Sequence, residues 1–269
     1  MRYFRMLNCW RFNARTAIIG FAPLIAVIFA ARAALCGTLQ RTADAIARLN
    51  THGSISRVMH FCPDDYLLAK ALISLAGHPV ANTIVVSVDL SDMDVTEQDL
   101  HDVKVLPSIQ VLSLRNCSVA DEISPVLSGL PLLQSLDIAN TNVSDKIVKS
   151  LGGHRYLTDI HLSGTGVTPD GVCDLIKEHG LEKLEVGPRL TTDLCKACAE
   201  SGSIECLAIT GGTIGIDEIR ELAKSRILMQ IILTECKVSP GVISELGHIP
   251  TLRNLSLNRM AFDSRAIAP

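Results

Sequence analysis

The sequence predicts an α/β solenoid of about eight repeats, with short parallel strands on a concave face and short helices on a convex face. Three observations lead to this prediction. An apolar residue recurs at a nearly constant interval, and its eight occurrences are Val85, Ile109, Leu133, Leu157, Leu181, Ile204, Leu228 and Leu252. The interval is 24 residues at every step except the fifth, which is 23. Two further apolar positions follow each occurrence, and most repeats then contain a helix-capping Ser or Thr. A period of this length is typical of solenoids.

The N-terminal segment, residues 1–37, is basic and then apolar. Its first sixteen residues contain no acid and four arginines, which are Arg2, Arg5, Arg11 and Arg15. Residues 17–31 are uncharged, and as a helix they would span about 22 Å, less than a hydrocarbon core of roughly 30 Å. Two interpretations remain open. In the first, the segment is a signal peptide that is cleaved near Arg32. In the second, residues 16–37 form an uncleaved single-pass anchor, and the long basic leader favours this second interpretation. Both interpretations put membrane contact within residues 17–37 and place the repeats outside the cytoplasm.

Residues 38–83 carry no repeat, and we assign them to a juxtamembrane helix and an N-terminal cap. Apolar residues at helical spacing predict a helix over residues 38–49, and residues 55–61 alternate as a short strand does. A second helix is expected over residues 65–76. An open solenoid end exposes its core and needs a cap of different sequence. The repeat domain then occupies residues 84–269.

Each repeat contains the alternation of apolar and polar residues that a half-buried strand requires. In residues 157–162, successive side chains point to opposite sides, so Ile160 and Leu162 point into the solenoid and His161 points outward. Stacked strands satisfy each other's backbone groups and bury a core that one repeat could not bury alone. The chain then turns away from the sheet at Met93, Cys117, Thr141, Thr165, Gly212, Cys236 and Met260.

A helix start follows the turn. One position holds residues whose side chains cap helix N-termini, namely Thr96, Ser144, Thr168, Thr191 and Ser239. The segment of residues 96–99 resembles a capping box, and Pro169 and Pro240 occupy the first helical position, where a missing N–H costs nothing. In the second repeat Ser124 and Pro125 fall where a core residue is needed. We therefore expect that helix to start late.

The composition excludes one class of partner. The formal net charge is −3, and aromatic residues make up 4% of the 269 residues. Binding through phosphate neutralisation needs an excess of cations, and base stacking needs aromatic rings. We therefore expect no nucleic-acid partner. The nine cysteines are an odd, scattered set and do not form the framework of a disulfide-stabilised domain.

Cys195 and Cys198 form a Cys-x-x-Cys pair, which in other contexts is a redox pair or half of a zinc site. In the repeat alignment they occupy the two apolar helix positions that Val172 and Leu175 hold one repeat earlier. Because cysteine is a common small core residue, we expect packing and no cofactor or metal. A thiol redox or metal protein is the less favoured alternative. Cys206 falls on an outward strand position. Its side chain is either a reactive thiol or a surface residue without a chemical role.

The outward strand positions define the predicted binding surface. The side chains expected to contact a partner are Asp89, Arg115, Asp137, Asp159, His161, Lys183, Glu185, Thr210, Ile232, Thr234 and Asn258. The N-terminal half of this surface is mildly acidic, and the C-terminal half is neutral and partly apolar. This pattern resembles a protein-contacting surface more than a nucleic-acid surface. The alternative is that these residues only keep the sheet soluble.

One group within this surface raises the question of catalysis. Strands stack about 4.8 Å apart, so Asp137, His161 and Glu185 are expected side by side on neighbouring strands. A base flanked by carboxylates is one ingredient of a catalytic site. The pattern places no nucleophile with an orienting partner beside them. We therefore predict no catalytic residues and no enzyme.

The spacing Leu-x-x-Leu-x-Leu-x-x-(Asn/Thr/Cys) is the leucine-rich repeat signature. The turn-to-helix segments at residues 141–145 (TNVSD) and 165–171 (TGVTPDG) resemble those of bacterial leucine-rich repeat proteins of the kind abundant in planctomycetes. The basic leader and single apolar segment are similar too. The resemblance implies a membrane-anchored recognition or scaffold module.

Two functions follow from these observations. The first is a non-catalytic protein-interaction module on the outer side of the cytoplasmic membrane, or a secreted or periplasmic one after cleavage. It would bind another protein through the concave face. The alternative is a structural envelope scaffold that self-associates through its C-terminal end, because the last repeat has no distinct polar cap.

Overall fold

The structure, a computed structural model, describes residue 37 and residues 40–51, 55–60 and 83–260. The chain divides into two compact units. The first comprises Met1–Asp44 and His60–Thr83; within it residues 40–44 are helical, and the Gln40 side-chain amide donates to the Asp44 carboxylate at 2.8 Å. The second comprises Ala45–Met59 and Ile84–Pro269 and contains the repeats.

Within the part of the chain that the structure describes, nine strands form one sheet in chain order, from β1 before the first repeat to the last repeat. Its strands are β1 (Ile55–His60), β2 (Thr83–Asp89), β3 (Val111–Ser113), β4 (Ser135–Asp137), β5 (Asp159–His161), β6 (Lys183–Val186), β7 (Cys206–Thr210), β9 (Gln230–Thr234) and β11 (Asn254–Asn258). Two short strands, β8 (Thr213–Ile214) and β10 (Lys237–Val238), pair with each other. The pairings from β2 to β11 are parallel, and each advances by one repeat. The predicted parallel sheet is confirmed.

Short helices alternate with these strands. They are α1 (residues 40–51), α2 (Glu97–Lys104), α3 (Ser124–Leu127), α4 (Asp145–Leu151), α5 (Pro169–Glu178), α6 (Thr192–Glu200), α7 (Ile216–Leu222) and α8 (Val242–Leu246). A single 3₁₀ turn, Asp121–Ile123, precedes α3, which is only four residues long. The second repeat therefore starts its helix late, as its Ser-Pro pair predicted.

One continuous apolar core lies between the sheet and the helices. The inward strand positions are buried from β2 to β9; Leu136, Ile160 and Leu184, for example, are at most 1% exposed. Helix residues such as Leu151 and Leu175 belong to the same cluster. The last repeat differs, because Leu255 is 39% exposed and Leu257 only partly buried.

Most of the predicted helix caps are present. The Thr96 hydroxyl accepts from the Asp99 N–H, while the Asp99 carboxylate accepts from the Thr96 N–H, so the capping box forms. Ser144, Thr168 and Thr191 also cap their helices. Pro169 is the first residue of α5, where its missing N–H needs no partner.

The expected helix start in the seventh repeat is wrong. Ser239 does not cap a helix, and Pro240 is not the first helical residue, because α8 begins at Val242. Gly241 takes a left-handed conformation with φ 85° and shifts the helix by two residues. As a result Val242 is buried, whereas Ile243 is only partly buried.

Residues before the first repeat cover its end. Ala45 and Leu49 are fully buried, and β1 lies beside β2 at the edge of the sheet. The Arg48 guanidinium donates to both oxygens of the buried Asp102 carboxylate on α2, each at 2.6 Å. The helix predicted for residues 38–49 thus contributes Ala45 and Leu49 to the core of the repeat unit, and its described part runs to Thr51.

Some expectations fall on other parts of the chain. The basic leader, the apolar segment up to residue 36 and the helix expected over residues 65–76 lie outside the described residues. Within the ranges that the structure describes, no helix has both the length and the apolarity to cross a membrane.

Candidate binding face

Three columns of outward side chains cover the sheet on the side away from the helices, and we call this surface the sheet face. The first column is Ser87, Val111, Ser135, Asp159, Lys183, Cys206, Gln230 and Asn254. The second is Asp89, Ser113, Asp137, His161, Glu185, Ala208, Ile232 and Ser256. The third is Ser91, Arg115, Ala139, Ser163, Gly187, Thr210, Thr234 and Asn258. All predicted contact residues lie in these columns, because alternation along a strand fixes which side chains face outward.

His161 lies between two carboxylates on the sheet face. The strand register places Asp137 opposite His161 and His161 opposite Glu185. The His161 Nδ1 atom is 2.6 Å from a Glu185 oxygen, in hydrogen-bond geometry. Its Nε2 atom lies 3.1 Å from the buried Asp159 Oδ1, within ion-pair distance. Lys183 Nζ lies 3.7 Å from the other Asp159 oxygen.

Arg115 connects Asp137 and Glu185, the two carboxylates on either side of His161. Its Nε donates to Asp137 at 2.8 Å, and its second terminal nitrogen, Nη2, donates to Glu185 at 3.1 Å. Glu185 also accepts from the hydroxyls of Ser163 and Thr210, at 2.5 and 3.2 Å. Glu185 is therefore the centre of the group, and its side chain is only 13% exposed. We call the set Arg115, Asp137, Asp159, His161, Lys183 and Glu185 the ionic network.

The network shifts the protonation of its two central groups in opposite directions. The contacts of Asp159 and Glu185 raise the pKa of His161 to about 10, against the opposing effect of burial. Burial alone would raise the pKa of Glu185, but hydrogen bonds from His161 and Ser163 and the charge of Arg115 lower it to about 2. His161 is therefore a cation at neutral pH, and three cations face three carboxylates. The ionic network is therefore charge-balanced, and Asp89, outside it, leaves the N-terminal half of the face with an excess negative charge.

The C-terminal half of the sheet face carries no ionic network. Ala208, Thr210, Ile232 and Thr234 are all partly exposed, and none is charged. We call these four residues the neutral patch. Asn258 on β11 lies beyond the neutral patch and is exposed. At the opposite end of the face, Asp89 is exposed, and its carboxylate accepts hydrogen bonds from the N–H and the hydroxyl of Ser91. The structure thus separates the predicted contact residues into a paired charged group and an uncharged group.

Sequence reasoning missed a side-chain ladder at the edge of this face. Asp92, Asn116 and Asn140 hold the same position in the first three repeats, each with φ between 56° and 61°. Asn116 donates to Asp92 at 2.6 Å, and Asn140 donates to Asn116 at 2.7 Å. Asp and Asn tolerate the left-handed conformation better than most residues do. The recurrence of these residue types at a 24-residue interval was the available signal.

The remaining candidate pair is part of the core. Cys195 is fully buried, and Cys198 is 3% exposed. Burial raises the pKa of both thiols, that of Cys198 to about 12. Cys117 and Cys236 are also buried, and their thiols contact strand carbonyl oxygens. Among the residues that the structure describes, no cluster of three or more His, Cys, Asp or Glu side chains is arranged to hold a metal ion.

The arrangement of the sheet face is poorly suited to acid–base chemistry. A general base works best with a pKa near the operating pH and a lone pair directed at its substrate. His161 has a pKa near 10, and its two nitrogens face Glu185 and Asp159. The contacts of the ionic network instead fix the positions of side chains on four successive strands, β3 to β6, or on the turns that follow them. That is a rigid, charge-balanced surface beside an uncharged one.

The repeated strand, turn and helix at 24-residue intervals, the parallel sheet and the Asn ladder define a leucine-rich repeat solenoid. No protein-family model matches the chain, and no curated protein matches it. Solved structures similar to it include two internalins and the leucine-rich repeat ectodomain of a receptor kinase. An internalin (InlF) of Listeria monocytogenes has 16% identity and a TM-score of 0.47 over 65% of this chain and 47% of its own.

Two further solved structures give similar values. Internalin C2 of Listeria monocytogenes has 18% identity and a TM-score of 0.46, over 76% of this chain and 99% of its own. The ectodomain of the Arabidopsis receptor kinase HAESA, solved with a peptide hormone ligand, has 20% identity and a TM-score of 0.44. That match covers 83% of this chain and 42% of the receptor chain. At these identities and TM-scores the likeness says nothing about a partner or an activity.

Proposed function

We propose that this chain is a non-catalytic protein-interaction module that binds another protein through the sheet face. The observation that carries the proposal is the division of that face into the ionic network and the neutral patch. The centres of protein interfaces are depleted in charged residues, while charged and polar residues lie at their rims. The neutral patch fits the first description, and Lys183, 62% exposed, fits the second.

The ionic network supports the same proposal in a different way. Its carboxylates are already paired with Arg115, His161 and Lys183, so a partner need not supply cations to them. Side chains held in place before binding lose less conformational entropy in the complex. We therefore place the centre of the contact on Ala208, Thr210, Ile232 and Thr234, with Asn258 and the network at its edge. The exposed Asp89 marks the N-terminal limit of the proposed contact surface.

The proposal is tested by comparing two substitutions that introduce the same charge on opposite sides of the solenoid. Ile232→Glu places a carboxylate in the neutral patch. Lys196→Glu places one on α6, where Lys196 is exposed and makes no hydrogen bond or ion pair within the described residues. The full chain, immobilised in detergent, is incubated with envelope extract. We expect a protein retained by the wild type and Lys196→Glu but lost with Ile232→Glu; equal retention by both variants contradicts the proposal.

We further propose that the module is anchored by residues 17–37 and presented on the outer side of the cytoplasmic membrane, as in the bacterial proteins that its repeats resemble. The four arginines before an apolar stretch support this orientation. Protease added to intact spheroplasts should digest the repeat domain, and N-terminal sequencing of the membrane fraction should recover the uncleaved leader. Protection of the repeats rules out this orientation, and a mature N-terminus near residue 33 favours the secreted form.

Self-association is a second candidate function, favoured by the exposure of an apolar side chain on β11, the last described strand. Leu255 on β11 is 39% exposed, although its equivalents Leu136, Ile160 and Leu184 are at most 1% exposed. Covering an exposed leucine of this kind contributes about 1 kcal/mol or more. If β11 is an interface between copies, sedimentation should show concentration-dependent oligomers that Leu255→Lys abolishes. A wild-type chain that remains monomeric contradicts this second function and leaves the first intact.

A further inference from the structure

The fifth repeat has an irregular turn. Seven repeats hold a left-handed residue seven positions after their first apolar residue, and these residues are Asp92, Asn116, Asn140, Gly164, Gly211, Glu235 and Arg259. The fifth repeat has Pro188 there, and none of residues 187–190 has a positive φ. Its helix cap, Thr191, follows Leu181 by ten residues, whereas Thr168 follows Leu157 by eleven. One residue is missing from this turn, and that accounts for the short 23-residue interval.

Backbone hydrogen bonds between repeats are lost at the same place. The left-handed residue normally donates its N–H to the next repeat, as Asn140 does to Ser163 at 2.7 Å and Gly211 to Thr234 at 2.8 Å. Pro188 has no N–H to donate. The Gly164 N–H makes no hydrogen bond within the described part of the chain. Two consecutive links are therefore absent, one on either side of β6, the strand of the fifth repeat.

Arg189, the residue after Pro188 in this turn, leaves a space unfilled. Among its equivalents, Cys117, Thr141 and Cys236 are buried, at most 4% exposed, while Met93, Thr165, Gly212 and Met260 are partly exposed. The fifth repeat has Arg189 at that position, and Arg189 is exposed. A guanidinium is too costly to bury without a partner, so the side chain turns outward. The volume that a small side chain occupies elsewhere is left open.

A cavity of about 210 Å³ lies at this point. Its inner wall consists of the core residues Leu162, Val172, Val186 and Leu194, which are at most 4% exposed. An engineered apolar cavity of roughly 150 Å³ in another protein stays dry and binds benzene. The space here is therefore large enough for a phenyl ring or a branched aliphatic group.

The rim of the cavity has the opposite chemistry to its wall. Arg189 and Gly164 lie on it. The Arg189 guanidinium makes no hydrogen bond or ion pair within the described residues, and the Gly164 N–H is also without a partner there. Both groups are donors, and one carries a positive charge. Guanidinium groups bind carboxylates through short, charge-assisted hydrogen bonds.

We propose that this cavity binds a small organic acid. Its compact apolar group would lie against Leu162, Val172 and Leu194, and its carboxylate would accept hydrogen bonds from Arg189 and the Gly164 N–H. This site is separate from the neutral patch and does not depend on the proposed protein-binding function. A ligand of about ten non-hydrogen atoms in such a small site is expected to bind with a dissociation constant on the order of 0.1–1 mM.

Two probes that differ only in charge test the proposal on the full chain in detergent. Phenylacetate carries the ring and the carboxylate, and phenylacetamide has nearly the same shape without the charge. Binding is followed by ligand-observed NMR titration. We expect phenylacetate to saturate and phenylacetamide to bind about ten times more weakly, since each lost charged hydrogen bond costs about a factor of ten or more. Equal binding of the two probes, or no saturation by phenylacetate up to 10 times the expected range (about 10 mM), overturns the proposal.

Substitutions then locate the site. Arg189→Gln should weaken phenylacetate binding about tenfold and leave phenylacetamide binding unchanged. Arg226→Gln is the matched control, because Arg226 is also exposed and makes no hydrogen bond or ion pair within the described residues. Val172→Phe fills the cavity and should abolish the binding of both probes, with an unchanged circular dichroism spectrum showing that the variant is folded. Phenylacetate binding that survives both Arg189→Gln and Val172→Phe contradicts the assignment to this cavity.

Discussion

The Arg115 guanidinium donates a hydrogen bond to Glu185 at 3.1 Å, although 70 residues separate them and strands β4 and β5 lie between their repeats. The same guanidinium donates to Asp137 in the next repeat at 2.8 Å. The next three residues of Arg115's column are Ala139, Ser163 and Gly187, all short. Short side chains leave a path along the sheet face for a long one. One arginine thus ties the second repeat to the third and the fifth.

Glu185→Gln is expected to destabilise the solenoid by about 1.5–3 kcal/mol, the range for a hydrogen bond to a charged group. The substitution keeps the shape of the side chain but removes the charge that Arg115 and His161 face. Chemical denaturation of the full chain, followed by circular dichroism, measures the change.

The control for this substitution is Glu235→Gln. Glu235 is 54% exposed, and its one ion pair among the described residues is with Arg259, which is 81% exposed, so that variant should change stability by no more than about 0.5 kcal/mol. Equal effects of the two substitutions would show that the ionic network contributes nothing beyond an ordinary surface pair.

The ionic network also predicts how stability depends on pH. The folded-state pKa of Glu185, about 2, lies below its ordinary value of 4.5, so its contribution is present above pH 4.5 and lost as the pH falls toward 2. The folded-state pKa of His161, about 10, lies above its ordinary value of 6.5, so its contribution is complete below pH 6.5 and lost as the pH rises toward 10. The network therefore stabilises the fold most between pH 4.5 and 6.5.

His161→Gln isolates the alkaline half of this profile. The free energy of unfolding of the wild type should fall between pH 6.5 and 10, and the variant should lose that slope. The variant should keep a smaller decline below pH 4.5, because Ser163 and Arg115 still lower the pKa of Glu185. Denaturation midpoints in a series of buffers at constant ionic strength provide the measurement. Parallel profiles for the wild type and the variant between pH 6.5 and 10 exclude a raised pKa at His161.

The positions of the strands and of the outward columns could be predicted from the sequence, because both depend only on periodicity. Apolar residues three and five positions after Leu157 define β5 and place His161 outward, whatever its neighbours are. The helix register depends on single residues instead. Gly241, with its left-handed conformation, moved the start of α8 past Ser239 and Pro240, and a capping residue at the expected position did not prevent this.

The charge state of the face could not be predicted, because it depends on how far long side chains reach. The sequence places Asp137 and Glu185 beside His161 but gives no sign that Arg115 reaches across from the second repeat. Counting charges in the columns with His161 neutral leaves the N-terminal half acidic. Protonation of His161 gives the ionic network a cation for each of its carboxylates and leaves Asp89 as the excess negative charge, and this protonation depends on the three-dimensional surroundings.

Gly164, in the turn of the fourth repeat, provides a test of whether this turn requires a left-handed residue. Its φ is +70°, and an added Cβ would lie 2.0 Å from the side-chain oxygen of Asn140. Gly164→Ala should destabilise the protein by about 1–2 kcal/mol, the cost of the left-handed conformation for an ordinary residue. Gly164→Asn should cost less, because asparagine adopts this conformation more readily and its amide would extend the ladder from Asn140.

Gly153→Ala is the matched control for these two variants. Gly153 has no positive φ, and an added Cβ would meet nothing within 4 Å. Thermal unfolding of the three variants should therefore rank Gly153→Ala as the most stable and Gly164→Ala as the least. If Gly164→Ala is as stable as Gly153→Ala, the turn does not require a left-handed residue, and the ladder ends at Asn140 for another reason.

The thiols of Cys195 and Cys198 should resist modification as long as the protein is folded. A thiol reacts as its thiolate, and burial among the residues of α6 and the core raises the pKa of both groups well above the usual range. At pH 8 an aromatic disulfide reagent should therefore count the same number of accessible thiols in the wild type and in a Cys195→Ala/Cys198→Ala variant. In denaturant the variant should show two fewer. If the variant instead loses thiols that react in the folded state, the pair is accessible, and the redox alternative regains its basis.

Cys206, half-buried on the sheet face, provides the internal comparison. Cys206→Ser should remove one thiol that reacts slowly without denaturant, since burial raises the pKa of the Cys206 thiol less than it raises the pKa of the two helix thiols.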